Sequence, residues 1–106
     1  MGFLGESWRL VREGEVLGEI VIDEAEFPWL HGRFEPTEAF GAVRAWFEES
    51  SALLDAEEYE RFDVSYERIA GALSLVAPAG PVAEFLLHVD GGRARFRWSD
   101  EPFDEA

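Results

Sequence analysis

Residues 82–98 read VAEFLLHVDGGRARFRW, and this stretch decides the fold. Apolar and polar side chains alternate on both sides of the glycine pair at 91–92, which is the pattern of two antiparallel strands joined by a two-residue turn. Because so short a turn fixes the register, the pattern predicts which side chains face each other and gives the hairpin one apolar face. The predicted pairs are Phe85 with Trp98, Leu87 with Phe96 and Val89 with Ala94.

The other face of this hairpin is charged. It carries three of the nine arginines of the chain, opposite His88 and the acids Glu84 and Asp90. A structural interpretation is cross-strand ion pairing, worth about 0.2–1 kcal/mol for each exposed pair. A functional interpretation is an anion site, in which guanidinium groups and His88 hold a carboxylate or phosphate. The three arginines are Arg93, Arg95 and Arg97.

The rest of the chain predicts a second hairpin and two helices. Gly14 supplies a turn between two β-rich runs. Pro36 suits the first position of a helix, and an Asp55–Glu58 capping box with a stop at Gly71 predicts a second helix. The predicted strands cover 7–12, 16–23, 72–77, 82–89 and 94–98, with 30–35 as an optional strand, and the predicted helices cover 37–53 and 55–71.

These elements predict an α+β fold with a mainly antiparallel sheet, in the order ββ(β)-αα-βββ, and a helical hairpin packed on one face. The length predicts one domain over 1–106, with 1–5 and 99–106 as loose ends.

Composition narrows the function. The net charge is −14, which opposes binding to nucleic acid and favours a basic partner. The chain has no cysteine, so thiolate metal sites and cysteine nucleophiles are excluded. We expect no cofactor.

All nine basic residues are arginine, and lysine, asparagine and glutamine are absent, which indicates a high-GC bacterial genome. The first residues form neither a signal peptide nor a membrane helix, so we expect no membrane partner and a cytoplasmic location.

The richest segment is 27–36, FPWLHGRFEP, which combines aromatic rings with charge. In one interpretation Trp29 and Phe34 only plug the sheet. In the other, Trp29 remains partly exposed and belongs to a binding patch, because tryptophan and arginine dominate interaction hot spots. If the segment is extended, the side chains that share one face are His31, Arg33 and Glu35.

Catalytic and metal-binding motifs are not found. The two histidines have no metal-ligand spacing, and neither a nucleophile elbow nor a His-Glu-x-x-His helix occurs. We therefore predict no catalytic, cofactor or metal residue, only a set of binding candidates. The candidates are Trp29, His31, Arg33, Glu35, His88, Arg93, Arg95 and Arg97.

Three functions stay open. The first is a non-enzymatic interaction module that binds a basic protein and resembles small acidic inhibitors or immunity proteins in charge and size. The second is a small-molecule or anion-binding domain, with weak catalysis at most. It would use His31, Arg33 and the three arginines Arg93, Arg95 and Arg97. The third is a structural homo-oligomer, such as a homodimer. A pocket shared by both histidines favours the second function, and a flat acidic face favours the first.

Overall fold

The computed structural model describes residues 3–99, which form seven strands, two α-helices and one 3-10 helix. The strands are β1 (Ser7–Arg12), β2 (Glu15–Glu26), β3 (Trp29–Pro36), β4 (Ser74–Ala77), β5 (Gly80–Pro81), β6 (Glu84–Asp90) and β7 (Arg93–Ser99). The helices are the 3-10 helix Glu38–Ala42, α1 (Arg44–Asp55) and α2 (Tyr59–Ala72). All strand pairs are antiparallel, in the order β5-β4-β1-β2-β3-β7-β6. The predicted α+β class with a mainly antiparallel sheet is confirmed.

The β6–β7 hairpin has the register that the sequence predicts. Leu87 lies opposite Phe96, and the turn is formed by Gly91 and Gly92. Gly91 adopts a φ of 63°, a left-handed conformation that glycine reaches without steric cost. The paired apolar side chains belong to the core or pack against it, so the predicted apolar face is confirmed.

The sheet is strongly curled. The ring of Trp8 in β1 lies 4.8 Å from that of Phe96 and 5.1 Å from that of Trp98, both in β7. In a flat sheet with β2 and β3 between them, these strands would stand about 14 Å apart. The inner face is therefore concave, and its side chains fill one core with those of the helices.

Segment 29–36 is a full strand in the middle of the sheet, between β2 and β7. Phe34 lies in the core, where its ring packs 4.9 Å from that of Phe40. Trp29 is only partly buried and lies on the opposite, outer face. The two interpretations of the aromatic segment thus apply to different residues, because neighbouring strand residues point to opposite faces.

All four predicted helix boundaries differ from the observed ones. Pro36 ends β3 instead of opening a helix, and Thr37 caps the 3-10 helix, so α1 begins only at Arg44. The Thr37 hydroxyl donates to the Val16 carbonyl oxygen at 2.8 Å and thereby ties this start to β2. Proline fits the end of a strand as well as the start of a helix, so the local pattern was ambiguous.

The predicted capping box is also absent. Asp55 is the last residue of α1, and Glu58 precedes α2 without a side-chain capping bond. Glu57 between them adopts a φ of 61°, which makes this connection a tight turn. The helix α2 then continues past Gly71 to Ala72. A glycine near a helix end marks a stop only when it takes the left-handed conformation.

Residues near both ends of the described chain contact or belong to the sheet. Gly5 donates its N–H to the Ile22 carbonyl oxygen at 2.8 Å, and the Phe3 ring packs 5.3 Å from that of Trp98. Ser99 belongs to β7. Residues 1, 2 and 100–106 of the predicted loose ends lie outside the described residues.

One hydroxyl covers the free edge of β6. The Tyr66 hydroxyl donates to the Phe85 carbonyl oxygen at 3.0 Å and accepts from the Leu87 N–H at 2.9 Å. Burial raises the pKa of the Tyr66 phenol well above its usual value, so the group keeps its proton. An uncovered edge invites pairing with another chain, and here α2 supplies the cover.

Tyr66→Phe is expected to destabilise the fold by about 1–3 kcal/mol, because a buried carbonyl and a buried N–H lose their partner. Urea unfolding measures the loss. The matched control is Tyr59→Phe on the same helix, where the side chain is exposed and the change is expected to stay within about 0.5 kcal/mol. Equal effects of the two substitutions would contradict the edge-covering role.

Candidate functional site

Three candidate side chains form a row across the outer face of the sheet. Arg95 in β7 lies directly opposite His31 of β3 on one side and opposite His88 of β6 on the other. Their strand neighbours Phe96 and Leu87 are fully buried in the core, so the row points away from it. The register of β3, β7 and β6 thus brings together residues that are up to 64 positions apart, from His31 to Arg95.

Aromatic rings enclose the His88 end of this row. The imidazole of His88 stacks on the Trp29 ring at 5.9 Å and lies 6.0 Å from the Phe62 ring of α2. The Arg95 guanidinium lies over the same Trp29 ring, 5.4 Å from its centroid. Trp29 is therefore the platform for both groups, and its flat indole limits the conformations that Arg95 can adopt.

Burial decides the charge of His88. The residue is 7% exposed, and this burial lowers the pKa of its imidazole to about 4, with the positive charge of Arg95 acting in the same direction and Asp55 opposing it. The ring is therefore neutral at pH 7. Its Nδ1 atom is buried and has no hydrogen-bond partner among the described residues. A buried polar atom without a hydrogen-bond partner is energetically costly.

His31 has a looser environment. Its Nε2 lies 3.4 Å from Glu26 Oε1, which is ion-pair distance, but the two atoms do not have hydrogen-bond geometry. Glu26 is mostly exposed, so this ion pair contributes little to stability. Both histidines thus keep one buried ring nitrogen without a hydrogen bond within residues 3–99.

Two arginines of β7, Arg93 and Arg95, differ in their partners. Arg93 binds Asp23 through two hydrogen bonds of 2.6 and 2.9 Å, which lower the pKa of Asp23 and raise that of Arg93. Asp23 is available for this because the β2–β3 register shifts between Ile22 and Glu24. Arg95, by contrast, has no ion pair with any described carboxylate. The two arginines thus differ, because Arg93 is paired with a carboxylate and Arg95 lies over the Trp29 ring.

The row borders a cavity of about 270 Å³ between the hairpin and the C-terminal end of α1. Its size is just below the range of pockets for drug-sized molecules. The cavity is lined by His31, Ser51, Leu54, Asp55, His88, Asp90, Arg93, Ala94 and Arg95. Both histidines share it, which is the concavity that distinguishes a ligand site from a flat partner surface.

The structure divides the predicted candidates. His31, His88, Arg93 and Arg95 line the cavity, and Trp29 contacts two of them, His88 and Arg95. Arg33 and Glu35 do not line it. They form an exposed ion pair of 3.0 Å with each other. Arg97 lies opposite Leu86, away from the cavity, so the three arginines do not form one anion site.

Sequence reasoning missed the contribution of α1 to the site. Ser51, Leu54 and Asp55 form one wall of the cavity, yet the sequence marks Asp55 only as an expected helix cap. Asp90 was expected only as a cross-strand ion-pair partner. The adjacency of α1 to β6 depends on long-range packing, and no local signal in the sequence announces it.

The described residues contain neither a candidate metal site nor a candidate membrane-spanning helix. Within residues 3–99, no three or more histidine or acidic side chains are grouped so that they could hold a metal ion. In the same part of the chain, no helix has the length and apolarity needed to span a membrane.

Comparisons with protein-family models, curated proteins and solved structures found no match to this chain.

Proposed function

We propose that this protein is a bacterial cytoplasmic domain that binds a small organic molecule carrying an anionic group, in the cavity shared by His31 and His88. Arg95 binds the anionic group. The observation that carries the proposal is an arginine that has no ion-pair partner within residues 3–99 and is held over Trp29 at the border of this cavity. In a chain with 23 acidic residues, an unpaired guanidinium in a concave site favours a ligand as its partner.

The geometry suits recognition of a carboxylate or phosphate. A guanidinium stacked on an indole keeps its N–H groups at its edge, where they can donate to two oxygens at once. The stack also reduces the side-chain entropy that binding would otherwise cost. The neutral imidazole of His88 adds a donor or an acceptor without adding charge.

Arg95→Gln is expected to weaken binding of butyrate or inorganic phosphate by tenfold or more, because charged hydrogen bonds contribute about 1.5–3 kcal/mol. Titrations followed by NMR, with the Trp29 indole N–H as the reporter, measure the dissociation constants. The matched control is Arg9→Gln, since Arg9 is exposed on β1 and does not line the cavity. If both variants bind the probes like the original protein, the proposal is wrong.

A second candidate function is the interaction with a basic protein. It rests on the exposed side of the helical hairpin, where Tyr59 and Val64 are 58% and 70% exposed among carboxylates. We propose that the hairpin packs on one face of the sheet and leaves this acidic side to solvent. The exposed acids of segment 55–67 are Asp55, Glu57, Glu58, Glu60, Asp63 and Glu67.

The two candidates are separable by charge reversal. Glu60→Arg with Asp63→Arg is expected to abolish capture of a basic partner from host lysate at low salt, because such encounters depend on the acidic field. Arg95→Gln should leave that capture unchanged. Retention of the same proteins by the charge-reversed variant would exclude this face, and a second copy of the chain as the captured partner would favour the homodimer.

A further inference from the structure

We infer that the ligand of this cavity is a small zwitterion, in which an ammonium group faces Asp55 and Asp90 while the anionic group faces Arg95. This inference rests on the proposed function and names its ligand class. It starts from the two carboxylates of the lining, which that function does not use.

Asp90 does not form an ion pair with the arginine that lies opposite it. It lies directly opposite Arg93 across the hairpin, where oppositely charged residues normally pair. The Arg93 guanidinium instead makes both of its short hydrogen bonds to Asp23 of β2. Among the described residues Asp90 therefore has no ion pair, and it lines the cavity.

Asp55 is in the same situation on the opposite wall. It is the last residue of α1, where the negative end of the helix dipole adds to its own charge. Within residues 3–99 it also has no ion pair. Both carboxylates line the cavity together with Arg95, which they do not bind, and charges of both signs are therefore available to a ligand.

The charge balance of the cavity favours a ligand with both signs. Arg93 is neutralised by Asp23, so, as far as ion pairs among residues 3–99 go, the lining offers one free arginine, Arg95, and two free carboxylates, Asp55 and Asp90. A purely anionic ligand would be attracted by one group and repelled by two. An added ammonium group turns that repulsion into attraction, and the net charge of −14 acts in the same direction.

A buried polar group independently indicates a ligand here. His88 is more than nine-tenths buried, lines the cavity, and has an Nδ1 atom without a partner in the described part of the chain. A neutral imidazole can accept from an ammonium N–H or donate to a carboxylate oxygen. Size agrees with a small ligand, since about 270 Å³ suits a compact amino-acid-like molecule better than a drug-sized one.

The test compares linear amino acids from β-alanine to 6-aminohexanoate with the alkanoate and the alkylamine of the same chain length. NMR titration of the full chain gives each dissociation constant. We expect at least one amino acid of the series to bind ten times or more tighter than its alkanoate. Asp55→Asn with Asp90→Asn is expected to remove that advantage, while the matched control Asp63→Asn on α2 keeps it. Amide spectra of each variant establish that it is folded.

The outcomes separate the inference from the proposed function. If alkanoates bind as tightly as the amino acids, and Arg95→Gln weakens both, the zwitterion inference is overturned and the anion site stands. If alkylamines bind as tightly as the amino acids and Arg95→Gln has no effect, both the anion site and the zwitterion are overturned. If no probe of the three classes binds, both are overturned as well.

Discussion

Phe96→Ala should lower the free energy of unfolding by about 3–5 kcal/mol, the usual cost of deleting a buried ring. Phe96 is fully buried and packs at 4.8 Å against Trp8, the contact that joins the two sides of the curled sheet. Removing the ring leaves a cavity that the strands cannot close, because Phe96 is held by pairing to Leu30 on one side and to Leu87 on the other. Urea unfolding, with the slope checked for constancy, measures the loss.

The matched control for this substitution is Phe27→Ala. Phe27 is 78% exposed in the turn between β2 and β3, so the same truncation is expected to change stability by no more than about 0.5 kcal/mol. A loss below about 1 kcal/mol for Phe96→Ala would contradict the assignment of Phe96 to the inner face.

His88 should make the fold sensitive to mild acid. Its pKa is about 4 in the folded protein and 6.5 as the ordinary value, so between these values the unfolded chain binds more protons than the folded one. Stability is therefore expected to be complete above pH 6.5 and to fall as the pH decreases to about 4. A shift of this size corresponds to a loss on the order of 3 kcal/mol.

Other groups also titrate in acid, so the prediction is a difference between two proteins. The free energy of unfolding of the original chain should fall relative to that of His88→Gln as the pH decreases from 7.5 to 4. Parallel curves for the original chain and His88→Gln, or an NMR titration of His88 near pH 6.5, would show that the ring is not held neutral by burial.

Local patterns predicted the strands better than the helix ends. The glycine pair at 91–92 and the alternation on both sides of it leave only one register that keeps the rings together, and that register is observed. The start of α1 was wrong because Pro36 and Thr37 are held by β2 and β3, a contact between distant segments. The Asp55–Glu58 pattern was wrong because α1 continues to Asp55.

The candidate site shows the same division. The sequence identified Trp29, His31, His88 and Arg95 as unusual side chains, since cationic and aromatic residues are conspicuous in an acidic chain. It did not reveal that Arg93 is neutralised by Asp23, whereas Arg95 lies over Trp29 and pairs with no carboxylate of the described chain. That difference depends on an irregularity in the β2–β3 register and on the position of one indole ring. Neither has a signature in the residues around the arginines.

The sequence by itself determined the α+β class, the hairpin register and which residues share a face, because these follow from side-chain periodicity and from short turns. Tertiary structure alone decided that β3 lies beside β7, which aligns His31, Arg95 and His88 in one row. It alone decided that the end of α1 closes a cavity over that row. Pairing between distant strands is set by the packing of the whole core, and so the site forms only when the complete sheet and α1 are assembled.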